Sequence, residues 1–131
     1  MVITADVRIR DIGIKRIREK LLRCLTNIGL NVVEDEFDKT GFSIFAIEKR
    51  VPLWQTSLLS LIGPSLVKDR IGLDIRAFKE GNFISLRIEA RLYIPELDME
   101  NPKGSDRGRL KAAGAVNFLV RELETLNQET R

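Results

Sequence analysis

Histidine is absent from this chain of 131 residues. Its absence removes the usual neutral-pH general base, the commonest metal ligand and the ordinary pH switch. Cysteine occurs once, at Cys24, so no internal disulfide can form, and a reducing, cytoplasmic setting is expected. Glutamine is confined to Gln55 and Gln128, and with abundant Ile, Arg, Lys and Glu this leans toward a thermophile composition. Neither charge sign dominates: 22 basic residues face 19 acidic ones, for a net charge of +3. That balance permits an anionic partner without demanding one. No apolar run reaches the roughly 20 residues a membrane-spanning helix needs, and no secretory leader is expected, since Met1 leads straight into an alternating charged segment.

What is present is globular. Hydrophobic residues make up 44% and charged residues 31%, enough to build one core in a single domain over 1–131. Residues 2–10 alternate, with Ile3, Ala5, Val7 and Ile9 on one face, which predicts a half-buried strand. Residues 14–29 shift to helical spacing through Ile14, Ile17, Leu21, Cys24, Leu25 and Ile28, with Asp11 as the expected N-cap and Gly29 as the stop. Two strands follow, joined by "DKTG", in which Gly41 is expected to supply a positive φ. The second, near 42–51, is apolar on both faces at its start, so both sides of the sheet should be covered there.

The segment 71–94 reads as a hairpin. It admits two registers that keep Ile71, Leu73, Ile75 and Ala77 on the face of Ile84, Leu86, Ile88 and Ala90. A turn at Glu80–Gly81 sets Asp74 opposite Arg87, whereas a turn at Gly81–Asn82 opposes Arg76 to Arg87 and Asp74 to Glu89. Opposed like charges disfavour the second by a few tenths of a kcal/mol each, roughly, so the first is expected. A last helix over about 106–128, capped by Ser105 or Asp106, has apolar positions wider than one stripe.

The predicted fold class is α+β: an antiparallel sheet of four to six strands with two helices packed on one face, in the order β-α-β-β-(hydrophobic insert)-β-β-α. This order resembles the fold shared by the TATA-box-binding protein repeat and, with more strands, the helix-grip domains. The resemblance is one of topology, with no motif of either family to quote, and it implies a fold without a function.

Five stretches are candidates for function. The insert "PLWQTSLLSLIGPSLV", residues 52–67, holds Trp54, Leu58, Leu61, Ile62 and Leu66 between basic flanks. It reads as core, as a lid over an apolar ligand, as a homodimer interface, or as a membrane-surface contact. Phe118 of the last helix joins it as a ligand or interface residue. The basic helix residues Arg16, Lys20 and Arg23, with Arg76, Phe78, Phe83 and Arg87 of the hairpin, form an alternative set for nucleic acid, tracking phosphates and stacking bases. Glu19–Arg23 helix pairing and cross-strand ion pairs are the plainer readings of those charges. "PKGSDRGR" offers Lys103 and Ser105 at a helix start with Arg107 and Arg109 close by, a weak anion-binding signal without the phosphate-loop spacing. "EDEFD" lacks a calcium-loop pattern, and Cys24 reads as small core filler.

No nucleophile–base pair, metal spacing or cofactor loop stands out. The sequence therefore favours a non-catalytic, homo-oligomeric module that binds an apolar small molecule or a partner protein, with nucleic acid as the alternative partner and no cofactor.

Overall fold

In a computed structural model, the described residues are 2–48, 70–93 and 106–129. They form β1 (Val2–Arg10), α1 (Ile14–Asn27), β2 (Leu30–Phe37), β3 (Gly41–Glu48), β4 (Arg70–Glu80), β5 (Phe83–Tyr93) and α2 (Asp106–Glu129). The strands make a five-stranded antiparallel sheet in the order β1-β5-β4-β3-β2. Period-two alternation sends Ile44, Leu73, Ile75, Ile84, Leu86, Ile88 and Leu92 to one face, where each is at most 2% exposed. The same face receives Ile17, Leu21 and Leu25 of α1, and Ala112, Val116, Leu119, Leu123 and Leu126 of α2. Those α2 positions recur at alternating intervals of four and three, the spacing of one helical stripe. Helix α1 packs over β2 and β3, and α2 packs over β1, β5 and β4. The fold is α+β with both helices on one face.

Several local devices differ from expectation. Asp11 is not the N-cap of α1. Gly13 holds that place at φ 105, and Asp11 Oδ1 accepts from the Gly13 N–H at 3.0 Å. Gly29, at φ 83, follows the helix as expected, its N–H donating to the Thr26 carbonyl at 3.1 Å. Gly41 does not adopt a positive φ. Its missing side chain serves a close approach instead, because a Cβ there would lie 2.1 Å from the Ala77 carbonyl oxygen of β4. The turn before it is tied by Asp38, whose carboxylate accepts from the Thr40 N–H at 2.7 Å, the Thr40 hydroxyl at 2.6 Å and the Gly41 N–H at 3.0 Å.

The β4–β5 hairpin takes the register that charge opposition disfavoured. Its turn lies at Gly81–Asn82, so Arg76 stands opposite Arg87 and Asp74 opposite Glu89. Gly81 takes φ 59. A turn at Glu80–Gly81 would put a glutamate at the first left-handed position, at roughly 1–2 kcal/mol. Opposed like charges cost less, and here each finds a counterion elsewhere. Arg87 Nε donates to Asp6 of β1 at 3.0 Å, Arg91 to Glu89 at 2.8 Å, and Arg76 lies 3.5 Å from Asp74. Turn chemistry outweighs charge pairing.

The outer face near the β3 end is partly covered, as its apolar pattern suggested. Phe45 and Ile47 are half-buried, and the Phe45 and Tyr93 rings meet edge-on with centroids 6.2 Å apart. Tyr93 lies across Gly72, where a Cβ would come within 2.3 Å of the ring.

Candidate functional site

Beyond the ion pair between Lys20 of α1 and Glu122 of α2, at 3.0 Å, a cavity of about 280 Å³ opens toward the C-terminal end of α1. Its floor is the sheet, through Leu30, Glu48 and Ile71 at the neighbouring ends of β2, β3 and β4. Ile28 closes one side, and Lys111, Gly114, Ala115 and Phe118 of α2 form the other. The sequence creates this gap directly. Gly114 sits in mid-helix where a Cβ would meet nothing within 4 Å, so a turn of α2 contributes backbone rather than bulk. Phe118, one turn on, supplies an aromatic wall that is only half-buried.

One polar cluster fixes the floor. Glu48 occupies a core-facing position on β3, and its carboxylate is bonded on both sides. One oxygen accepts from the Ile71 N–H at 2.7 Å, and the other is ion-paired with Lys111. Arg70, 6% exposed, donates through Nε and Nη2 to the Glu48 carbonyl at 3.1 and 2.7 Å. These bonds tie the end of β3 to the start of β4 and bring α2 onto both. The result is a mostly apolar recess with a satisfied polar pair in its wall.

The residues expected from the sequence distribute unevenly around it. Phe118 lines the cavity. Trp54, Leu58, Leu61, Ile62 and Leu66 lie outside the described residues, as do Lys103 and Ser105. The Arg107 side chain is likewise not described, and Arg109 is engaged with Asp106 at 2.9 Å. Leu110 of α2 is 75% exposed.

The nucleic-acid set divides between two sides of the molecule. Arg76, Phe78, Phe83 and Arg87 lie on the outer face of the sheet, beside Arg8, whose guanidinium stands 4.3 Å from the centre of the Phe83 ring. A shallow depression of about 570 Å³ runs between Asp6, Arg8, Arg76, Phe78, Ser85 and Arg87. Helix α1, carrying Arg16, Lys20 and Arg23, packs on the opposite face. The two groups do not share a surface. Within α1, Lys20 bonds Glu122, which raises its pKa, and Arg18 bonds Asp35 of β2, with the same effect on the guanidinium. Asp35 of the acidic run is thereby committed to holding β2 against α1.

Cys24 is buried in the helix-face core, and burial pushes its thiol up, away from the reactive thiolate. Among the described residues, no group of three or more acidic or thiol side chains could hold a metal ion, and no helix is long and apolar enough to cross a membrane. Glu48, Lys111 and Gly114 escaped sequence reasoning, because nothing local marks a charged strand end and a helix glycine as neighbours. Comparison of the chain with protein-family models, curated proteins and solved structures returns no match.

Proposed function

We propose that this chain is a non-catalytic binding module that takes a small apolar molecule in the cavity between the end of α1, the sheet and α2. The observation that carries the proposal is the cavity of about 280 Å³ lined by Ile28, Leu30, Ile71, Ala115 and Phe118, with the Glu48–Lys111 pair in its wall. The apolar run 52–67 lies in the stretch of sequence between Glu48, where β3 ends, and Arg70, where β4 begins. In this reading the run contributes further contacts to the ligand or to a partner protein. The lack of histidine and the buried, thiol-form Cys24 weigh against covalent or acid–base catalysis. The reading also takes the chain as a cytoplasmic homo-oligomer.

The test is native mass spectrometry of freshly purified protein, followed by titration with 1-anilinonaphthalene-8-sulfonate as apolar probe. Adduct mass on the wild type, and probe binding that Gly114→Leu weakens about tenfold or more, would support the cavity. Equal probe binding by both proteins would refute it.

A second reading is favoured by one observation: Arg8, Arg76 and Arg87 gather around exposed Phe78 and Phe83 on the outer sheet face. There the sheet alone, without α1, would bind single-stranded nucleic acid through phosphate contacts and base stacking. It requires affinity that falls steeply with salt and is lost in Arg76→Glu. No binding of labelled oligonucleotides below about 10 μM at physiological salt would dismiss it.

A further inference from the structure

The sheet has two edges, and they are built differently. On β2 the ladder slips between Val32 and Glu34, and the strand continues through Glu34, Asp35 and Glu36. A bulge and a block of like charge are the usual means of keeping an edge from pairing. Strand β1 has neither. Its nine residues pair with β5 without a register shift, contain no proline, and point only apolar side chains (Ile3, Ala5, Val7, Ile9) toward the helices. Three of these, Ile3, Ala5 and Val7, are only half-buried.

The backbone shows which groups of β1 are open. The Asp11 N–H donates to the Asn82 carbonyl at 3.0 Å, so by antiparallel alternation the odd-numbered residues bond β5. The even-numbered residues turn their N–H and C=O groups to the free edge. One of them is stopped: the Arg10 N–H donates to Asn127 Oδ1 at the end of α2, at 3.2 Å. Among the described residues, none bonds the backbone of Val2, Thr4, Asp6 or Arg8 on that side.

We infer that the occupant of this edge is a second copy of the chain, paired antiparallel through β1 about a two-fold axis at Ala5. This goes beyond the cavity reading and gives its oligomeric part a surface. Self-pairing at Ala5 is the register that uses the whole open row and spares Arg10. Val2 bonds the partner's Arg8, and Thr4 bonds the partner's Asp6, each twice by symmetry. Centring on Asp6 would oppose two aspartates and call on the Arg10 N–H that Asn127 already holds. Centring on Val7 would also need Arg10.

Side chains agree with the backbone. On the outer face the Thr4 hydroxyl meets the carboxylate of the partner's Asp6. On the helix face Ile3 meets the partner's Val7, and the small Ala5 sits at the axis, where Cα atoms approach to about 4.5 Å. Alongside runs a groove of about 550 Å³ between Ile3 of β1 and Leu110 and Ala113 of α2, and Leu110 is the most exposed of the large apolar side chains described, at 75%. The partner's Val7 arrives at its mouth. The result is a ten-stranded sheet with four helices on one face, its remaining edges being the two bulged β2 strands.

The experiment is oxidative cross-linking of the full chain carrying Ala5→Cys or Val7→Cys, with sedimentation analysis of the unmodified protein and of Thr4→Asp. An axis at Ala5 brings its Cα atoms within the roughly 4.4–6.8 Å that a disulfide spans. Val7 lies four residues from its symmetry mate, about 13 Å along the strand. The expected result is a dimeric wild type, near-complete cross-linking of Ala5→Cys and little of Val7→Cys. Thr4→Asp, which sets two like charges against the partner's Asp6, should dissociate to a monomer with an unchanged circular dichroism spectrum. A monomeric wild type at tens of micromolar, or a dimer whose Val7→Cys links while Ala5→Cys does not, overturns the inference. Probe binding to the cavity is read separately, so either proposal can fail alone.

Discussion

Gly114 offers the sharpest perturbation, because it separates the stability of α2 from the proposed use of the cavity. The glycine lies inside a 24-residue helix, with no positive φ and no atom within 4 Å of a Cβ built on it. Replacing it with alanine removes a mid-helix glycine penalty of about 0.8–1.0 kcal/mol, and leucine recovers nearly as much. At about 2.1 cal/mol/K per residue, 131 residues unfold with an entropy on the order of 0.28 kcal/mol/K, so Tm should rise by about 3 °C. The two variants part on binding. Alanine adds one methyl group, whereas leucine projects a branched side chain into space bounded by Ile28, Leu30 and Phe118. Displacing two methylene equivalents of a bound molecule costs about 1.6 kcal/mol, more than tenfold in affinity. Thermal melts monitored by circular dichroism, with and without 1-anilinonaphthalene-8-sulfonate, read both quantities. A stabilised Gly114→Leu protein that still binds the probe at wild-type affinity refutes the cavity as the site. Destabilisation of both variants would refute the reasoning about open space beside α2.

Two further predictions concern the β2–β3 turn. Gly41→Ala forces a Cβ against the Ala77 carbonyl, which is backbone and cannot swing aside, so chemical denaturation should show a loss of about 1–3 kcal/mol. A variant within 0.5 kcal/mol of wild type would contradict the close approach. Asp38 is held below the usual aspartate range, chiefly by the Thr40 hydroxyl and then by the Thr40 N–H. A carboxylate with a lowered folded-state pKa supports the turn above its unfolded pKa of about 4 and loses that support as pH falls through the folded value. Carboxyl carbon titration by NMR should place the Asp38 midpoint below the ordinary aspartate value of about 4, with the Thr40 amide resonance following the same curve. A midpoint at or above 4 would be the contrary result.

Much of the fold was legible because periodicity reports burial. The stripe Ile14, Ile17, Leu21, Cys24, Leu25 marked α1, and the alternation in β1, β4 and β5 marked both the strands and the face they bury. Chain-order neighbours then implied antiparallel pairing. The hairpin register was legible in principle and misjudged, since a few tenths of a kcal/mol of charge opposition was set above the larger cost of a left-handed glutamate. Gly41 shows a different limit. Its glycine answers to a carbonyl of β4, distant in sequence, and no local turn rule contains that contact. Of the site, Phe118 could be named as an aromatic too many for one stripe, while Glu48, Lys111 and Gly114 could not.

The sequence by itself determined the element types, the buried face of each strand and helix, and the exclusion of histidine chemistry and of internal disulfides. These follow from side-chain period and residue identity, which are local. Only the tertiary structure decided that Glu48 and Lys111 meet and that a gap remains beside Gly114. It alone placed the basic helix and the arginine-rich sheet face back to back, and let Asn127 cap Arg10 at the end of an open edge. Each of these joins residues from distant parts of the chain. Packing alone brings them together, and the local pattern of the sequence carries no record of it.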